Sequence, residues 1–120
     1  MSEEHPAALV VQRYIDLSGA LDASGLTECF ASNASLNGYL GPKPVVGGIS
    51  LYIDDVRRLA ESGAVMSAYR ASITMFAVTG DVATATVSME GFAGAQFVDY
   101  LHLMQHDGAW RIVAKTFTTV

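Results

Sequence analysis

The run Gln96-Phe97-Val98-Asp99-Tyr100-Leu101-His102-Leu103-Met104-Gln105-His106, closed by Asp107-Gly108 and followed by Trp110 to Thr119, decides how this chain folds. Its residues fall into two rows: Phe97, Asp99, Leu101 and Leu103 on one side, and Val98, Tyr100, His102 and Met104 on the other. That period of two is the mark of a β-strand. Both rows are largely apolar, which predicts a central strand covered on both faces. Asp107-Gly108 is a two-residue hairpin signal, so the last two strands pair antiparallel. Working backwards, Val82 to Phe92 alternates small apolar residues with Thr and Ser, and Met66 to Val78 is rich in β-branched and aromatic residues. Thr79-Gly80-Asp81 and Gly91 to Gly94 mark the turns between them. The second half of the chain therefore reads as a four-stranded antiparallel meander.

The first half has a different period. Val10, Tyr14, Leu17 and Leu21 recur at helical spacing, with Val11 and Ile15 widening the stripe. Pro6 suits the first helical position, and Glu3 and Glu4 would lie near the positive end of the helix. Asp22 can cap a short second helix carrying Leu26, Cys29 and Phe30. Ala34 to Leu40 reads as a short strand, and Gly41-Pro42-Lys43-Pro44 with Gly47-Gly48 as a loop. Ser50 is expected to cap a third helix with Ile53, Val56 and Leu59 or Ala60 as its apolar face, ending at Gly63. Helices first and a meander after is an α+β order. The expected architecture is a cone-shaped roll, with three N-terminal helices packed against a curved, mainly antiparallel sheet in a single domain over residues 1–120.

Composition narrows the function classes. The 120 residues carry 7 basic and 12 acidic side chains, a formal net charge of −5, with no basic cluster. Phosphate-backbone binding needs such a cluster, so nucleic acid is not an expected partner. Charged residues make up only 16% of the chain, against a usual ~25%. So little charge favours an apolar cavity, a buried dimer face, or both. No apolar run approaches the ~20 residues of a membrane span, and no membrane partner is expected. The acidic start is wrong for a secretory signal, and the single Cys29 cannot form an internal disulfide, so a cytoplasmic location is expected.

Asp99 is the residue out of place. It lies between Phe97 and Leu101 in the row that faces the core, where a carboxylate must be protonated, paired or hydrogen-bonded. Tyr14, on the apolar stripe of the first helix, has a phenol that needs a partner when buried. The two can form an internally satisfied structural pair. Alternatively, an acid kept neutral by desolvation can donate a hydrogen bond to a carbonyl or enolate oxygen. His102 lies in the opposite row, which excludes a dyad with Asp99. His5 and His106 fall near ends or turns and are expected to be exposed. No two histidines have metal-ligand spacing and none sits beside Cys29, so neither a metal site nor a Cys-His nucleophile is expected; no cofactor is expected. Cys29 reads as a small core residue.

The pieces Val10-Val11-Gln12-Arg13-Tyr14, Phe30-Ala31, Ala34 and Val98-Asp99, taken in order, resemble the ketosteroid isomerase family of the nuclear-transport-factor-2-like superfamily. Asp99 to Leu103, with Asp107-Gly108-Ala109-Trp110-Arg111-Ile112-Val113-Ala114-Lys115, is similar to the branch labelled "putative lumazine-binding". The resemblance runs from about Leu9 to Phe117. It implies that Tyr14 and a protonated Asp99 are oxyanion donors, as in a site that holds an acid neutral to stabilise an enolate. It also implies that Gly38 stands where the family keeps its catalytic aspartate, and that Phe30 replaces a pocket tyrosine. Asp54, Asp55 and Glu90 are the carboxylates that could substitute as a base. Leu17, Phe30, Ile53, Val56, Phe97 and Leu101 are expected to line or support an apolar pocket for a small apolar or aromatic ligand. Val98, Tyr100, His102 and Met104 are expected to form a homodimer face. The expected function is small-molecule binding. The alternatives are isomerisation, cyclisation or dehydration of a carbonyl compound, and a non-catalytic structural or partner-binding dimer.

Overall fold

The computed structural model describes residues 5–120; Glu3 and Glu4, and any role they have at the first helix, lie outside it. Helix α1 (Pro6–Gly19) starts at Pro6, and the His5 side chain accepts a hydrogen bond from the Ala7 backbone N–H at 3.1 Å. His5 is therefore a capping group, half-buried against Phe76 and Trp110, and not the exposed residue expected. Asp22 caps α2 (Ala23–Cys29) by accepting from the Gly25 N–H at 2.9 Å. Phe30, expected on that helix, opens strand β1 (Phe30–Leu40).

The segment expected to be a loop is a strand. Residues of β2 (Lys43–Gly48) pair antiparallel with β1, from Leu40 opposite Lys43 to Ser35 opposite Gly48. Prolines and glycines suggested a loop, but an edge strand tolerates both because one side of its backbone needs no partner. Helix α3 (Ser50–Ser62) begins one residue earlier than expected. Ile49 is its N-cap and makes no side-chain capping bond, while Gly63, in the left-handed region at φ 72°, ends it. Strands β3 (Arg70–Thr79), β4 (Val82–Phe92), β5 (Ala95–His106) and β6 (Ala109–Thr119) form the meander.

The six strands make one sheet in the order β2-β1-β6-β5-β4-β3, antiparallel throughout except for β1 beside β6. The three helices cover its concave face, giving the α+β architecture that the sequence implies. Ala7, Val11, Tyr14 and Ile15 of α1, Leu26 of α2 and Val56 of α3 bury against Ala85, Val87, Leu101, Leu103 and Ile112. The convex face is open in this chain, with Tyr100 and Met104 exposed, so β5 is central in the sheet but covered on one face only.

Two register shifts aim the side chains that matter below. Between Met89 and Phe92 the β4–β5 register slips, and Phe92 turns inward where strict alternation would turn it outward. A bulge adds one residue to one strand and reverses the parity beyond it. Gly91 sits in that bulge at φ 67°, and a Cβ there would overlap the Ala68 backbone. On β6 the shift skips Val113, so that Ile112 and Lys115 both point to the concave side.

Candidate functional site

One cavity of about 260 Å³ opens into the concave face. Its walls come from Leu36 and Leu40 of β1, Val45 of β2, Tyr52 of α3, Met89 and Phe92 of β4, Phe97 and Asp99 of β5, and Lys115 and Phe117 of β6. Lys43, Leu51, Asp55 and Arg58 complete it; Lys43, Leu51 and Arg58 are exposed and mark the mouth.

Asp99 is 1% exposed and accepts a hydrogen bond from the Tyr14 phenol, Oη to Oδ2, at 2.5 Å. Tyr14 is fully buried and forms no part of the cavity wall. Its hydroxyl is committed to Asp99, so it holds the carboxyl in place from behind instead of facing a ligand beside it. Burial is the main force that raises the Tyr14 phenol well above its usual range, and the neighbouring Asp99 adds to it. The phenol therefore keeps its proton and remains the donor.

Two further groups meet Asp99 at the wall, and the sequence reading singled out neither. Tyr52 shares a hydrogen bond with Ser18 (2.7 Å between hydroxyl oxygens), and burial raises its phenol too. Lys115 is 4% exposed. Its Nζ lies 3.2 Å from the centroid of the Tyr52 ring and 5.1 Å from that of Tyr14. Among the described residues it has no carboxylate within ion-pair distance. Burial lowers its pKa to about 8, against the opposing pull of Asp99 and then Asp55. Asp99 pairs with Phe117 across β5–β6, and Leu101 pairs with Lys115, so Asp99 and Lys115 are diagonal neighbours on one face.

Both residues left traces in the sequence. Tyr52, Val56 and Leu59 share a helical face at spacings of four and three. Lys115 has the same strand parity as Phe117, but the bulge at Val113 hides its common side with Ile112.

The structure places the other expected site residues as follows. Phe97 lines the cavity. Phe30, Ile53, Val56 and Leu101 are buried in the core and Leu17 is half-buried, and none of these five reaches the cavity wall. Gly38 is on the concave side of β1, but a Cβ there would overlap the Phe117 carbonyl oxygen and lie 2.5 Å from Cδ1 of its ring. Phe117 occupies the space that a side chain at position 38 would need. Asp54 is exposed and pairs with Arg57 at 3.2 Å. Glu90 is exposed and lies 3.7 Å from Arg70. Asp55 reaches the mouth but is tied to Arg58 at 2.9 Å. Cys29 is buried among core residues, its thiol raised chiefly by burial. His102 is exposed on the convex face beside Tyr100 and Met104, with Val98 half-buried. His106 is exposed, 3.4 Å from Asp107. Among the described residues, no cluster of three His, Cys, Asp or Glu side chains could hold a metal ion, and no helix is long and apolar enough to cross a membrane.

Comparison with known proteins places this geometry in a family. The model described as "Putative lumazine-binding" matches residues 2–118. Among solved structures, an NTF2-like protein of unknown function from Silicibacter pomeroyi is similar at 24% identity, covering 100% of this chain and 99% of its own, with a TM-score of 0.84. A "putative ketosteroid isomerase" from Shewanella frigidimarina aligns at 18% identity over 95% of each chain, with a TM-score of 0.68. A "putative dehydratase" of the NTF2-like family from Streptomyces avermitilis aligns at 15% identity, covering 96% of this chain and 94% of its own, with a TM-score of 0.69. At these identities the likeness is one of fold. Among curated proteins there is no match.

Proposed function

This chain belongs to the family described as "Putative lumazine-binding", and we propose that it binds a small, flat organic molecule in the cavity at Asp99, with an apolar body and one oxygen-bearing end. The observation that carries this reading is the wall itself. Phe92, Phe97, Phe117, Leu36 and Met89 surround the space, and only the Asp99, Tyr52 and Lys115 groups lend polarity at its inner end. Apolar walls with a few converging polar groups are the general form of a small-molecule site. Asp99 Oδ2 already has the Tyr14 proton, and Oδ1 takes no hydrogen bond from a described residue. A ligand hydroxyl would donate to that oxygen, while a ligand carbonyl or phenolate oxygen would accept from Lys115.

The enzyme alternative, removal of a proton beside a carbonyl, needs a base within reach of that proton. Gly38 supplies none, and Phe117 stands in its place. With the family's base position closed in this way, binding through Asp99 and Lys115 is the reading the site supports best. We further propose that a second copy covers the convex row of Val98, Tyr100, His102 and Met104.

Titration calorimetry with naphthol tests the pocket. The wild type is expected to bind with a 1:1 stoichiometry per chain. Asp99→Leu is expected to bind at least about tenfold more weakly, the loss of one hydrogen bond to a charged or strongly polarised group. Equal binding by the two proteins would remove Asp99 from the site, and no binding by the wild type would remove the site.

A further inference from the structure

We infer that the Lys115 amine is a covalent capture site for carbonyl compounds, taking a planar aromatic or unsaturated aldehyde as an imine. The inference rests on the pocket reading above and adds the chemical class of the ligand. Three features of the molecule point to it. Lys115 is 4% exposed yet forms part of the cavity wall, so small molecules can reach it only through the cavity. Its amine has no ion-pair partner among the described residues, and its closest contact is the face of the Tyr52 ring, so no carboxylate holds the nitrogen. Aromatic rings pack around it, with Tyr52, Tyr14 and Phe117 centroids at 3.2, 5.1 and 5.8 Å. A lysine desolvated in this way is the kind that acts as a nucleophile.

The groups facing it are Tyr14 from α1, Tyr52 and Asp55 from α3, and Asp99 from β5, with Arg58 and Lys43 at the mouth. The tyrosines are held neutral by burial, and Asp55 is paired with Arg58, which leaves Asp99 as the nearest proton acceptor on the same sheet face. Burial brings the Lys115 pKa from 10.5 to about 8. Near pH 8 its neutral fraction is then roughly a hundredfold larger than that of an ordinary lysine.

The step balances without an outside oxidant or reductant. The nitrogen lone pair forms a bond to the carbonyl carbon, and the carbonyl π pair moves to oxygen, which takes up a proton. The two amine hydrogens finally leave with that oxygen as water, and a carbon–nitrogen double bond remains. The proton that oxygen takes up is one of the amine's own, and Asp99, the diagonal neighbour on the same sheet face, is the nearest carboxylate to the transfer.

The chain has two lysines, Lys43 and Lys115, so labelling is read without ambiguity. The full-length wild type is incubated near pH 8 with a naphthaldehyde and cyanoborohydride, which reduces any imine to a stable amine. Peptides are then mapped by mass spectrometry. In parallel, calorimetry follows binding of naphthalenemethanol, which has the same apolar body and no carbonyl. The expected result is an adduct on Lys115 formed at least about tenfold faster than on Lys43, and suppressed by excess naphthalenemethanol. Lys115→Met should lose this adduct while keeping the circular-dichroism spectrum of the wild type; if that variant does not fold, suppression in the wild type decides. Labelling of Lys43 at the same rate as Lys115, with the alcohol still bound, overturns the capture site and leaves the pocket; the α-amino group, which is largely neutral near pH 8 in any chain, is not part of the comparison. Failure of the alcohol to bind overturns the pocket, and the capture site with it. An adduct on Lys115 that the alcohol does not suppress also contradicts capture within the cavity.

Discussion

Lys115 and its neighbouring tyrosines make the stability of this protein depend on pH in a way that ordinary surface residues would not. In the unfolded chain the Lys115 amine stays protonated up to about pH 10.5, but in the folded chain it releases its proton near pH 8. Between those values the unfolded state binds more protons, so folding becomes more favourable as pH rises. Below about pH 8 both states are protonated and the cost of burying the charge is present in full. Lys115 should therefore contribute a gain of about 2 kcal/mol from pH 7.5 to 9.5 in unfolding by urea, read as the difference between wild type and Lys115→Met, because the Cys29 thiol, raised by burial, pulls the other way in both proteins. Lys115→Met should abolish most of that rise. Above about pH 10 the sign reverses, because Tyr14, Tyr52 and Tyr69 ionise in the unfolded chain while burial keeps them neutral in the folded one. Parallel profiles for the two proteins between pH 7.5 and 9.5 would show that the amine is hydrated in the native state.

At the scale of elements, close contact between β1 and β6 fixes the shape of the site. Gly38 and Phe117 are register partners on parallel strands, and the Phe117 ring lies over the glycine. Gly38→Ala should lower stability by about 1–3 kcal/mol through overpacking, measured as a drop in the melting midpoint. An unchanged midpoint would mean that β1 and β6 move apart at the Phe117 carbonyl, and its ring aside, without cost. Gly38→Asp, the obvious way to restore a base, meets the same obstruction and is not a clean test of catalysis.

The same elements explain what the sequence disclosed. Helix α1, the Asp22 cap, the Gly63 stop and the Asp107-Gly108 turn were legible because each depends on residues near one another in the chain. Asp99 stood out because a strand's period is simple and a charge in an apolar row breaks it. Lys115 and Phe92 were hidden by bulges at Val113 and Gly91, which reverse strand parity through backbone geometry that the pattern of side chains does not carry. Strand β2 was hidden because glycine and proline signal loops and edge strands alike. The residues expected to line the pocket were mostly correct choices for burial. Their places along the cone depended on how far the sheet curls, which composition cannot supply.

For the whole molecule, the charge deficit seen in the composition has two places to go. One is the cavity. The other is the convex sheet face, where Tyr100 is 52% exposed and Met104 43% in the isolated chain. Two broad depressions border that row, one beside Tyr100 and one beside His102. If a second copy covers this face, light scattering on a sizing column should give the mass of a dimer. Tyr100→Glu with Met104→Glu should convert it to a monomer, since like charges facing each other across the interface disfavour association. A wild type that runs as a monomer at micromolar concentration would contradict the proposed interface and leave the pocket untouched.

The central claim is that the cavity walled by Phe97, Phe117 and Tyr52 receives a guest whose oxygen meets Asp99 and Lys115. A crystal structure of the protein soaked with naphthol tests it most directly. The rings are expected in the cavity against Phe97 and Phe117, which pack edge to face on each other at 6.1 Å, with the hydroxyl oxygen within hydrogen-bond reach of Asp99 or the Lys115 amine. A structure in which the cavity is collapsed onto its own side chains, or in which naphthol lies only on the convex sheet face, would contradict the account.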